Sequence, residues 1–128
     1  MIKIFTIGDS LTAGYPGNDP NSNSNPESTY QYWLEKTLNN YHQFKNSRVF
    51  NFGVPGITSK QIYDRLVRLS NDKFFIDSQI VIVNGGENDW TAYERIDDTD
   101  LMKNLIKCCN YCLKNGKKVI LSSMTPFG

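Results

Sequence analysis

The amino-acid sequence predicts an α/β protein, a doubly wound parallel sheet with helices on both faces. Three observations carry this expectation. Four short apolar runs, residues 2–7, 49–52, 80–83 and 119–121, have strand length. Stretches with apolar residues at helical spacing separate them, and that alternation implies right-handed crossovers between parallel strands. Three of the runs break off at glycine-bearing loops, at Gly8, at Gly53 and at Asn84-Gly85-Gly86.

The first run, rich in isoleucine, is cut off by Gly8 and reads as a buried strand. Residues 8–26 are mostly Gly, Asn, Ser, Pro and Asp with few apolar anchors, so a long surface loop is expected. Ser28 and Gln31 have capping-box spacing. They open a first helix whose face carries Tyr30, Trp33, Leu34, Thr37, Leu38 and Tyr41. The second strand, 49–52, ends at Gly53, and Val54-Pro55-Gly56 makes a turn. Thr58 and Gln61 repeat the capping-box spacing ahead of Ile62, Leu66 and Leu69, a second helix. Residues 80–83 are continuously β-branched without polar alternation, as a central strand covered on both faces requires. Leu101, Leu105, Cys108, Cys109 and Cys112 form a third helical stripe closed by Asn115-Gly116, and a fourth strand, 119–121, precedes Pro126.

Composition narrows the function. The 128 residues suit one domain, 1–128, with a real core. Fourteen Lys and Arg against thirteen Asp and Glu leave a net charge of +1, which favours neither nucleic acid nor an anionic membrane as partner. No apolar run approaches the ~18 residues of a membrane span, and residues 1–7 lack the order of a signal peptide, so a cytoplasmic setting is expected. Three cysteines clustered in one helix fit free thiols in a reducing compartment. One histidine, His42, and carboxylates without ligand spacing make no metal site, and no cofactor motif of the Gly-x-Gly-x-x-Gly or Walker type is present.

In a doubly wound sheet, ligands sit beyond the carboxyl ends of the strands, which makes the loops at Gly8, Gly53, Gly85 and Ser122 the candidate site. Those loops read Gly8-Asp9-Ser10-Leu11, Asn51-Phe52-Gly53-Val54-Pro55-Gly56 and Gly85-Gly86-Glu87-Asn88-Asp89-Trp90. In this order, each at a strand end, they resemble the first three signature blocks of the GDSL (SGNH) hydrolases, serine esterases and lipases, over nearly the whole chain. The resemblance implies that Ser10 is the nucleophile, that the N–H groups of Ser10 and Gly53 and the carboxamide of Asn88 form an oxyanion hole, and that the substrate is a small-molecule ester. Chemistry supports the assignment independently. A flavodoxin-like three-layer fold with strand order 2-1-3-4 would set Ser10 between Gly53 and Asn88. Fixed neutral donors aimed at a developing oxyanion lower the barrier, and Asn supplies an NH₂ where Asp could not.

Each residue also has a plainer explanation. Asp9 and Ser10 are common in turns, Gly53 and Gly56 serve as turn glycines, and Asn88 with Asp89 can form Asx turns. Their joint occurrence favours the site. Glu87 fills a variable position, Asp89 is expected to hold its loop, and Tyr15 and Trp90 receive no role. A rival reading takes 10–14 as a phosphate loop for FMN. It leaves the Gly53 and Asn88 loops unexplained. A non-catalytic binding remnant is a third alternative.

The family draws its base from an Asp-x-x-His block near the C-terminus, and this chain has only His42, which the winding puts at the opposite end of the sheet. The chain is therefore expected to be the N-terminal piece of a longer hydrolase, lacking a fifth strand and a last helix, and weak or inactive alone. Residues 80–83 and 119–121 would then form a partly uncovered face and open edge able to self-associate.

Overall fold

Central position in the sheet falls to β1 (Lys3–Gly8), in the computed structural model, which describes residues 1–19, 21–90 and 96–122. It is flanked by β2 (Arg48–Gly53) on one side and β3 (Ile80–Val83) on the other, with β4 (Lys118–Leu121) beyond β3. The order is β2-β1-β3-β4 and every pairing is parallel, as expected. The register aligns Gly8 with Gly53 and Ile7 with Val83, so the loops after β2, β1 and β3 leave the sheet at one rim.

Helices α3 (Ser59–Leu69), α4 (Lys73–Ile76) and α5 (Asp98–Lys114) belong to one face. Beneath them Phe5, Ile7, Val81 and Val83 pack with Ile62, Leu66, Phe75, Leu101, Leu105, Cys108 and Cys112 in one continuous apolar core. Phe5 stacks on Phe52 at 4.5 Å and meets Phe75 edge-on at 5.4 Å. Burial pushes the Cys108 and Cys112 thiols up to about 12, so they are neutral packing groups. The short α1 (Ser10–Ala13) and α2 (Tyr30–Asn39) belong with the other face.

Four expectations are corrected. The segment after Gly8 is not loop throughout: Asp9 accepts the Leu11 N–H and caps α1, a helix too short to show periodicity. Helix α2 is capped by Thr29, whose Oγ1 accepts from Tyr32, and not by Ser28. Gln31 turns inward to donate to Thr6 Oγ1 and the Thr12 carbonyl, while Trp33, expected on the buried stripe, is 52% exposed. The uncovered patch is also smaller than expected. Val81 and Val83 are fully buried under the helices, and exposure is concentrated at Ile120 and Leu121 on the edge strand. By contrast, the Thr58–Gln61 capping box is present in both directions. Pro126 lies outside the described residues.

Candidate active site

Ser10 occupies the first position of α1, immediately after β1, where a backbone N–H has no partner within the helix. Asp9 beneath it is fully buried. Burial raises the Asp9 carboxyl above its ordinary range against the opposing Leu11 N–H, and the nearby Glu87 and Asp89 carboxylates push the same way. Those two carboxylates belong to the loop after β3.

The loop after β2 and the first residue of α3 join the loops after β1 and β3 through four hydrogen bonds. Val54 N–H donates to the Gly8 carbonyl at 2.9 Å, which ties it to the Ser10 loop. Asn88 Nδ2 donates to the Ile57 carbonyl at 3.0 Å, and the buried Asp89 carboxylate accepts Ser59 N–H at 2.7 Å and Ser59 Oγ at 2.5 Å. Asp89 thus holds its loop, as its place in the sequence suggests. Asn88 lies in a 3₁₀ turn, Glu87–Asp89, which β3 reaches through residues 84–86. Ser10, Gly53 and Asn88 therefore stand at the ends of three neighbouring strands on loops bonded to one another.

Gly53 ends β2. It is buried, its N–H donates to Asn51 Oδ1 at 2.9 Å, and the same Asn51 side chain reaches the Ala13 carbonyl at 3.3 Å. In this arrangement the Gly53 amide is engaged by a side chain of its own strand. The requirement for glycine here is spatial: a Cβ would collide with the Ala13 amide nitrogen, so the residue lets α1 sit against β2. Asn51 is the residue the sequence did not single out. Nothing in its spacing reveals a side chain folding back two residues along its own strand.

His42 lies in a 3₁₀ turn, His42–Phe44, and is exposed. The chain re-enters the sheet just beyond it, with Arg48 N–H donating to the Ile2 carbonyl at the amino end of the strands. The chain's one histidine is therefore at the far end from Ser10. Among the described residues no group of three His, Cys, Asp or Glu side chains could hold a metal ion, and no helix is long and apolar enough to cross a membrane.

Two cavities flank this region. One of about 340 Å³ runs along the outer edge of β2, between Glu35, Arg48, Phe50 and Phe74. The other, about 320 Å³, opens between the segment that follows α1 and Pro55. Ser10, Gly53 and Asn88 line neither.

Comparison with known proteins accords with this geometry. No curated protein matches the chain. Among solved structures, AlinE4, described as an SGNH-hydrolase family esterase, superposes with a TM-score of 0.73 at 24% identity over 94% of this chain. TesA gives 0.72 at 24% over 93%, and the psychrotrophic esterase EstA from Pseudoalteromonas sp. gives 0.69 at 19% over 94%. At these identities the likeness is one of fold. The chain spans 58% of the length of each of the three. The family model for GDSL-like lipase/acylhydrolase matches residues 4–128, and the chain belongs to that family.

Proposed function

We propose that this chain carries the nucleophile and the oxyanion donors of an ester hydrolase acting on a small-molecule ester. In this reading Ser10 Oγ adds to the ester carbonyl carbon, and the carbonyl π electrons move onto oxygen. A base takes the Ser10 hydroxyl proton during this addition and returns it to the alkoxide oxygen as collapse breaks the C–O bond, so the alcohol leaves and an acyl-serine remains, which water then cleaves to the acid and free Ser10. The Ser10 N–H and the Asn88 carboxamide stabilise the oxyanion, with Gly53 N–H as a third donor once Asn51 swings away. The observation that supports this most is the bonding of the loop after β2 to both the Ser10 loop and the Asn88 loop, which holds the three together at one rim.

A serine at its ordinary pKa needs a base within hydrogen-bond reach, and the 128 residues offer no imidazole at this rim. Imidazole added to the buffer supplies one. Hydrolysis of p-nitrophenyl acetate above the imidazole background is expected, and Ser10→Ala removes it. Asn88→Ala lowers kcat about 10²- to 10³-fold with little change in KM, because the donor acts on the transition state. Equal rates for the unaltered chain and Ser10→Ala would overturn the proposal.

A further inference from the structure

The cavity beside Pro55 is walled by two kinds of surface. Tyr15, with Pro16 and Pro55, supplies flat C–H and ring faces, and Tyr15 is 61% exposed. Asn18, Asp19 and Asn21 supply amides and a carboxylate. The Tyr15 hydroxyl and the Asn21 carboxamide take part in none of the hydrogen bonds formed among the described residues, and the Asp19 carboxylate accepts there only through Oδ1, from Asn21 N–H at 2.9 Å, while its backbone carbonyl accepts Asn23 N–H. Asp19 and Asn21 are exposed, and the wall they belong to is anchored by Asn18. Asn18 is 1% exposed, and its carboxamide donates to the Ala13 carbonyl at 3.2 Å while accepting Asn25 N–H at 3.0 Å. That bridge anchors the wall to the end of α1, the helix that begins with Ser10, and Tyr15 N–H itself donates to the Ser10 carbonyl at 3.1 Å. Pro55 belongs to the loop tied to Gly8.

We propose that this cavity is the subsite for a hydroxylated, ring-shaped part of the ester, a sugar or cyclic polyol, and not for a long acyl chain. The inference rests on Ser10 being the nucleophile and adds the substrate class to it. A ring's C–H face lies on Tyr15 and the prolines, while vicinal hydroxyls pair with Asp19, Asn21 and the Tyr15 hydroxyl. An aliphatic chain gains from burial only against apolar walls, and here it would desolvate three polar side chains without giving them partners. The volume, about 320 Å³, is at the small end of ligand sites, roughly 300–1,000 Å³, and holds a ring sooner than an extended chain.

Binding and turnover separate this proposal from the one beneath it. In amide-resolved NMR titrations of the chain, methyl 6-O-acetyl-β-D-glucopyranoside is expected to shift the Asn21 side-chain and Tyr15 backbone signals, and ethyl hexanoate to leave them in place. In imidazole-supplemented assays, Tyr15→Ala should lower kcat/KM for the acetylated glucoside about 10-fold more than for ethyl acetate, the loss of one stacking contact. Asn21→Ala should do the same to a smaller degree, while the NMR spectrum of each variant reports that it is folded. Shifts without Ser10-dependent turnover would leave the subsite standing and remove the esterase. Turnover with no glucoside shifts, or shifts produced equally by ethyl hexanoate, would remove the subsite and leave the esterase.

Discussion

The two faces of the sheet are held by different physics. Toward α3, α4 and α5, β1 presents Phe5 and Ile7, fully buried in an apolar core. Toward α1 and α2 it presents Thr6, whose Oγ1 donates to the Phe50 carbonyl at 2.7 Å and accepts Gln31 Nε2 at 2.9 Å, while the same Gln31 amide reaches the Thr12 carbonyl at 2.8 Å. Asp9, Thr12, Asn18 and Gln31 are all buried on or near this side. Apolar burial is non-directional and accepts any shape of the right volume, whereas a hydrogen bond fixes an angle. The helix that begins with Ser10 rests on the directional face, which suits a part whose orientation matters.

That contrast can be broken most severely at Phe5. Phe5→Ala should cost about 3–5 kcal/mol, read as a lower urea midpoint at unchanged slope, because the side chain touches both β2 and α4. A loss under 1 kcal/mol would mean the apolar face does not dominate stability.

On the polar face, Gln31→Ala removes two hydrogen bonds and should cost about 1–3 kcal/mol. If directional bonds orient α1, this variant should also lose Ser10-dependent turnover under conditions where both proteins remain folded. Retained turnover would show that α1 is held by its own cap and by Gly53 instead.

The smallest effect concerns Asp9, and its sign is fixed by its surroundings. Burial raises its folded-state pKa above its ordinary value of 3.8, so the folded chain binds the proton more tightly than the unfolded one. The resulting contribution is present below 3.8 and is lost as pH rises through the raised folded value. Asp9→Asn keeps an oxygen to accept the Leu11 N–H without the charge. Its stability relative to the unaltered chain should therefore improve between pH 3.5 and pH 7 in paired thermal melts. A difference that is flat or reversed with pH would show that the Asp9 carboxylate is better solvated than its burial implies.

Two segments with one spacing show where reading the chain succeeds. Thr58 and Gln61 form the box their positions suggest, since both partners are within one turn and Gln61 is exposed with nothing else to bond. Ser28 and Gln31 do not, because Thr6, 25 residues away, competes for the Gln31 amide in the buried layer. Likewise the strand-end blocks with Ser10 and Asn88 were legible from order and position. The engagement of the Gly53 amide by Asn51 was not, because a side-chain rotamer chosen by packing against Ala13 decides it.

Strand positions, their parallel winding and the rim where the three loops gather follow from apolar period, glycine breaks and chain order, all of which act within a few residues or through strong handedness rules. The capping of α1, the inward turn of Gln31, the occupied Gly53 amide and the polar cavity behind Tyr15 depend on groups far apart in the chain. Buried donors and acceptors choose partners from whatever the fold brings near, and no local pattern encodes that choice.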